Sequence, residues 1–108
     1  MKEVVNNILY PNSKKILKKE IRVNGLLNGE QITYEPDGNI MYIENYKNDE
    51  KDGITKAFFS KSKILKKSTP YKNGKIHGTI HAFSSDGKLL KKLSFENGKR
   101  LSNNWIYL

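Results

Sequence analysis

The chain has 108 residues, no cysteine and a formal net charge of +9. This length is that of one domain with a thin core, and the absence of cysteine excludes disulfides. No stretch approaches the ~18 apolar residues of a membrane-spanning helix, and the N-terminus lacks the apolar segment of a secretory signal. A cytoplasmic protein is therefore expected.

The first third of the chain alternates short extended runs with turn residues. Residues 7–10 predict the end of a strand, and residues 15–23 predict the next strand after the turn at Pro11. Asn24-Gly25 then predicts a type I′ hairpin, because both residues tolerate positive φ. After Gly29 the chain extends again as far as Tyr34.

The middle of the chain repeats this pattern with small changes. A turn at residues 36–38 precedes residues 40–46, which are rich in β-branched and aromatic residues and predict a strand. Asn48-Asp49 then stands where Asn-Gly is expected, and Lys61-Ser62 where Asp-Gly is expected. An extra residue is placed between Leu65 and Tyr71, and the nearby Pro70 predicts a bulge or a local edge there.

The pattern has a fixed period, which predicts the fold class. The closing aromatic residue recurs at steps of 24, 24, 25 and 24 residues, at Tyr10, Tyr34, Phe58, Phe83 and Tyr107. Such self-similarity is typical of a repeat array. We predict an all-β protein, an elongated single-layer antiparallel meander of stacked β-hairpins with about nine short strands. Residues 1–108 are expected to form one domain of about four and a half repeats.

The clearest copy of the repeat runs from Tyr71 to Gly78 and continues through Phe83, Asp86-Gly87 and Leu89. This copy resembles the variant MORN (membrane occupation and recognition nexus) repeat of bacteria. The resemblance implies an elongated single-layer sheet without catalytic activity, and some similar proteins are antitoxin-like. It covers nearly the whole chain, but it is specific for the fold and not for the function.

The residue pattern gives little support for catalysis. His77 and His81 are four residues apart, but they fall on a turn and a strand, and no third metal ligand lies nearby. Asp37 and Asp86 occupy equivalent turn positions, which explains them without acid–base chemistry. The chain has no phosphate-binding loop and no nucleophile motif. We expect no enzyme activity, no metal and no cofactor.

A single-layer sheet cannot cover both of its faces, and exposed apolar surface marks partner sites. The closing aromatic column is assigned to the core, with a second column at Tyr46, Tyr71 and Phe95. Lysine pairs follow the turns at residues 18–19, 66–67 and 91–92, and are expected to form a positive stripe along one rim. The candidate partner-binding residues are Tyr42, Ile43, Phe59, Trp105, Ile106, Lys66, Lys67, Lys91 and Lys92.

Two classes of function fit these residues. The first is a module that docks another protein through its sheet, as an antitoxin, an immunity protein or another inhibitor of a toxin or nuclease would. The alternative is a nucleic-acid or anionic-surface binder that uses the lysine stripe, although the lysine content also fits an AT-rich coding sequence. Self-association through the sheet ends is a third interpretation, because end strands carry unpaired backbone groups.

Overall fold

The structure is a computed structural model that describes residues 2–101 and the backbone of residues 106 and 107. Within this part of the chain all regular structure is β, in one antiparallel sheet. The strands are β1 (Glu3–Leu9), β2 (Ile16–Val23), β3 (Leu26–Leu27), β4 (Gly29–Tyr34), β5 (Ile40–Lys47), β6 (Glu50–Lys51), β7 (Gly53–Phe58), β8 (Leu65–Lys72), β9 (Lys75–Ile76), β10 (Gly78–Phe83), β11 (Leu89–Glu96), β12 (Lys99–Arg100) and β13 (Ile106–Tyr107).

The strands follow one another as a meander, which confirms the predicted fold class. The path of paired neighbours passes through β1, β2, β4, β5, β7, β8, β10, β11 and β12, while the two-residue strands β3, β6, β9 and β13 pair with β2, β5, β8 and β11. The sheet measures 45 × 33 × 18 Å and its Cα radius of gyration is 15.6 Å. A compact domain of this length would have a radius of about 13 Å, so the molecule is extended. The number of repeats stays a prediction.

The asparagine turns between the strands have the geometry expected from their sequence. Asn24 and Gly25 have φ of 52° and 82°, and Asn48 and Asp49 have φ of 48° and 69°. The replacement of glycine by Asp49 therefore leaves the left-handed turn intact, because aspartate tolerates this conformation.

A register shift occurs at the far end of each hairpin described. The shifts lie at Ile8/Leu9, Thr33/Tyr34, Ala57/Phe58 and Ala82/Phe83. Each shift leaves an extra residue on the following strand, such as Leu90 between Leu89 and Lys91, which marks a β-bulge.

The position of the extra residue in the third copy was predicted wrongly. Phe58 pairs with Leu65, seven positions away, whereas Tyr34 pairs with Ile40, six positions away. The additional residue therefore belongs to the turn after β7 and not to the segment near Pro70.

Pro70 lies inside β8, opposite Ile54, and its carbonyl accepts a hydrogen bond from His77 N–H. In an earlier hairpin, the Ile21 carbonyl accepts the equivalent hydrogen bond from Asn28 N–H. At this position the strand separates from the next hairpin, so the missing N–H of proline breaks no ladder bond.

The closing aromatic column differs from the predicted one. Tyr10 N–H donates to Lys15 O as Phe59 N–H donates to Ile64 O, so Leu9, not Tyr10, is the equivalent of Phe58. Tyr107 pairs with Lys91, and Ala82 pairs with the same Lys91 from the other side. Tyr107 is therefore aligned with Ala82, one position away from Phe83.

The assignment of this column to a buried core is also wrong for the residues described. Tyr34, Phe58 and Phe83 are only half-buried, because a single layer offers no second sheet to cover them. Burial is instead concentrated on one face, which we call the front face. It carries the three described residues classed as buried, Gln31, Thr69 and Leu93; Tyr42, Lys67, Ile80 and Lys91 share it by strand alternation.

Gln31 closes the gap between β2 and β4 on the front face. Its side-chain oxygen accepts a hydrogen bond from Ile21 N–H at 2.7 Å, and its amide nitrogen donates to Ile21 O and Gly29 O, both at 3.1 Å. This amide takes the place of a missing backbone partner between the two strands. In the later copy, Ile80 stands at the position of Gln31 and Pro70 at the position of Ile21. Proline has no N–H, so no side-chain acceptor is needed there.

We expect Gln31→Leu to lower the free energy of unfolding by about 1–2 kcal/mol, because the Ile21 N–H loses its hydrogen-bond acceptor, while the Ile21 carbonyl keeps its bond from Asn28 N–H. Urea unfolding monitored by circular dichroism measures this change. The exposed neighbour Glu30 provides the control, since Glu30→Gln should change stability by less than about 0.5 kcal/mol. Equal midpoints for the two variants would show that the Gln31 amide is not structural.

Candidate functional site

The front face carries an open groove of about 640 Å³ near the C-terminal half of the sheet. It is bordered by the turn after β7 and by strands β8, β10 and β11. The lining residues are Phe59, Lys66, Lys67, Ile80, Ala82, Phe83, Ser84, Ser85, Leu90, Lys91 and Leu93.

The floor of the groove follows from side-chain size along one row of the sheet. Ala82 pairs with Lys67 on one side and with Lys91 on the other. A small side chain between two long ones leaves a depression in the row. In the next row Ile80 pairs with Leu93, which is 6% exposed, and this pair supplies an apolar base.

The β-bulges add side chains to the wall of the groove. Leu90 and Lys66 occupy the extra positions of β11 and β8, where a bulge can re-aim a side chain that regular alternation would send to the other face. Leu90 is 43% exposed, and Lys66 Nζ lies 5.8 Å from the centre of the Phe59 ring. The groove is thus apolar inside and positively charged at its border, with three lysines and no acidic residue among its lining.

The structure brings together four of the nine predicted partner-binding residues. Phe59, Lys66, Lys67 and Lys91 line the groove. Tyr42 lies on the same face and in the same row as Lys67, because both pair with Ala57, but it stands outside the groove. It is 43% exposed.

The other predicted residues are placed elsewhere. Ile43 pairs with Ile32 and Lys56 on the back face. Lys92 pairs with His81 on the same back face. The predicted rim of lysine pairs is divided, because Lys19 and Lys92 lie on the back face and their neighbours Lys18 and Lys91 on the front face. Trp105 and the side chain of Ile106 lie outside the described residues.

Sequence reasoning missed Ile80, Leu90 and Leu93 and assigned Phe83 to the core. The signal available in the sequence was Ala82, a small residue at the row position that holds lysine in the strands on either side. Its meaning depends on the register between β8, β10 and β11, which the repeat period alone does not define.

A second polar cluster on the front face is structural. Glu44 accepts a hydrogen bond from the Tyr46 hydroxyl at 3.3 Å and forms an ion pair with Lys51 at 3.4 Å. Lys51 Nζ also lies 4.8 Å from the centre of the Tyr71 ring. Burial and the Glu44 charge raise the pKa of Tyr46. Burial opposes the ammonium form of Lys51, but Tyr71 and Glu44 outweigh it and raise its pKa. Both groups therefore keep their protons at neutral pH, unlike a general base or nucleophile.

The two histidines have separate surroundings. His77 Nδ1 accepts a hydrogen bond from Asn97 N–H at 3.2 Å, at the turn of the next hairpin. His81 stacks on Phe83 with ring centres 6.5 Å apart. Residues 2–101 hold no group of three or more His, Cys, Asp or Glu side chains placed to bind a metal. They also include no helix long and apolar enough to cross a membrane.

Comparison with known proteins identifies the repeat. A family model described as a MORN repeat variant matches residues 27–48, which span the hairpin of β4 and β5. Searches of curated proteins and of solved structures gave no significant match. MORN repeats are generally binding modules for proteins or membranes and are generally not enzymes. This match and the meander of β-hairpins together support a MORN-repeat protein.

Proposed function

We propose that this protein is a non-catalytic module that binds another protein in the front-face groove. The observation that carries the proposal is an apolar depression, with Leu90 43% exposed beside Phe59 and Ile80, on a protein whose single layer cannot cover it. Exposed apolar surface with a polar rim is typical of protein–protein interaction sites.

The lining of the groove favours a partner of one kind of chemistry. Three lysines border it without an acidic residue in the lining, which favours a segment with an apolar side chain flanked by carboxylates. Charges at the border of an interface mainly change the association rate and its salt dependence, whereas buried apolar anchors control dissociation. Lysines 66, 67 and 91 should therefore attract the partner, and Leu90 and Phe59 should hold it.

The specific form of the proposal is an inhibitor, of the antitoxin or immunity type, that acts in the cytoplasm. The resemblance to antitoxin-like repeat proteins supports this form. The partner would then be an enzyme, such as a toxin or nuclease, whose activity falls when the groove is occupied.

The alternative function is binding of nucleic acid, favoured by the net charge of +9. Lys18, Lys67 and Lys91 do share one row of the front face. Lys19 and Lys92 lie on the back face, which divides the positive charge between the two sides of the sheet. This division favours the protein-binding function.

Comparative capture tests the proposal. A partner retained from the source cells by the wild type should be lost with Leu90→Asp, because a carboxylate in the groove removes the apolar anchor and repels acidic groups. The matched control is Ile54→Asp, since Ile54 is 48% exposed and pairs with Pro70 on the back face. The control should retain the partner. Equal retention by both variants, or retention of nucleic acid alone, would contradict the groove as the binding site.

A further inference from the structure

We propose that two copies of this chain pair through β1, strand against strand in antiparallel orientation. In the described part of the sheet β1 is paired only with β2, so one side of a seven-residue strand is open. An unpaired strand edge is a template for pairing with another strand. We infer that the strand bound there is β1 of a second copy, because β1 can pair along its whole length with its own sequence in antiparallel orientation.

The phase of hydrogen bonding shows which residues offer their backbone at the open edge. Lys2 O accepts a hydrogen bond from Asn24 N–H at 3.0 Å, so the backbone of Lys2 points towards the β2 side. N–H and C=O groups of alternate strand residues point to the same side. Val4, Asn6 and Ile8 therefore bond β2, while Glu3, Val5 and Asn7 present their N–H and C=O groups outward.

The composition of β1 lacks the usual protection of an edge. The chain has 18 lysines, yet β1 contains neither lysine nor proline. Its four apolar side chains are 38–48% exposed. Natural edge strands are commonly blunted by lysine or proline. The exposed apolar residues of β1 are Val4, Val5, Ile8 and Leu9.

One register pairs the whole strand with its own copy. Outward-facing residues must oppose each other, and full overlap of Glu3–Leu9 then places the two Asn6 residues on the symmetry axis. Val5 of one copy exchanges backbone hydrogen bonds with Asn7 of the other. On the front face Val4 lies opposite Ile8 of the second copy, which buries both.

Charge does not oppose this pairing. Each Glu3 lies opposite a Leu9, which places the two carboxylates at opposite ends of the interface, about 20 Å apart at ~3.3 Å per residue. The lysines of β2 on the two copies are separated by three strand spacings, about 14 Å. That exceeds the screening length of about 8 Å at physiological salt.

Sedimentation equilibrium of the full chain tests the proposal. Wild type should reach twice the 12.5-kDa mass of one chain at high concentration. The double variant Val5→Lys/Asn7→Lys places lysine directly against lysine at two symmetric positions, and should weaken the dimer about tenfold or more. Val5→Lys/Asn7→Glu places lysine against glutamate and should restore it. Both side chains are exposed, so the monomer should keep its fold.

Hydrogen exchange gives a second measurement that needs no variant. Val5 and Asn7 amides should be protected at high concentration and open to exchange on dilution, whereas the Asn6 amide should stay protected throughout. Wild type that remains a monomer, or a lysine double variant that dimerises as wild type does, would overturn the proposal. So would Val5 and Asn7 amides that exchange freely in a dimer. A monomer whose β1 amides become protected only with an added partner would assign the edge to another protein's strand.

Discussion

Replacing Leu93 by alanine is expected to lower the free energy of unfolding by about 2–4 kcal/mol. Leu93 is 6% exposed and is the one apolar side chain classed as buried in the described part of the sheet. Truncating a buried leucine removes its transfer free energy and leaves a cavity that neighbouring side chains fill only in part. Against a typical total of about 5–15 kcal/mol, this loss is large. Chemical denaturation measures it.

Leu90→Ala is the matched control, because Leu90 lies on the same strand and is 43% exposed. Its truncation should cost less than about 1 kcal/mol. A similar loss for the two variants would show that Leu93 is not the centre of the packing on the front face.

The second large effect is expected for Gly78→Ala, at about 2–4 kcal/mol. Gly78 has a φ of +118°, and an added Cβ would lie 3.0 Å from Pro70 Cγ. The backbone conformation alone costs alanine about 1–3 kcal/mol, and the contact with the rigid proline ring adds to it. Thermal and urea unfolding of the variant measure the sum.

Gly87→Ala separates the two contributions. Gly87 has a φ of +88°, but nothing lies within 4 Å of an added Cβ, so only the backbone cost of about 1–2 kcal/mol applies. Pro70→Ala should relieve part of the Gly78→Ala loss, because it removes the contacting Cγ. A double variant that shows no coupling between the two positions would contradict the proposed contact.

The fold could be predicted because its signals are local and repeated. The asparagine of each asparagine turn has positive φ, at Asn24, Asn48, Asn73 and Asn97. Residues that tolerate this conformation mark the turn directly in the sequence. Tyr46, Tyr71 and Phe95 also occupy equivalent positions, each opposite a glycine, but they are half-buried and do not form the predicted core.

The register could not be predicted, because it depends on turn length and bulges. The turns between Leu9 and Ile16 and between Phe58 and Leu65 are one residue longer than the turn between Tyr34 and Ile40. A one-residue shift moves a side chain to the other face. The lysine pairs illustrate this, because Lys67 and Lys91 are equivalent whereas Lys66 occupies a bulge.

Of the residues that line the groove, only its three lysines and Phe59 were predicted as binding residues. The others were missed because the register could not be predicted. Its apolar base consists of Ile80 and Leu93, which meet across two strands. Its depth depends on Ala82 lying between Lys67 and Lys91. These are cross-strand relations, and a repeat period counts residues along the chain.

The most direct test of the groove is the binding kinetics of the recovered partner at two salt concentrations. Lys67→Glu should slow association, most strongly at low salt, and Leu90→Ala should speed dissociation. Lys92→Glu is the control, because this substitution makes the same change of charge on the back face of the sheet. It should have much less effect on association. Equal slowing by Lys67→Glu and Lys92→Glu, with dissociation unchanged by Leu90→Ala, would contradict binding in the groove.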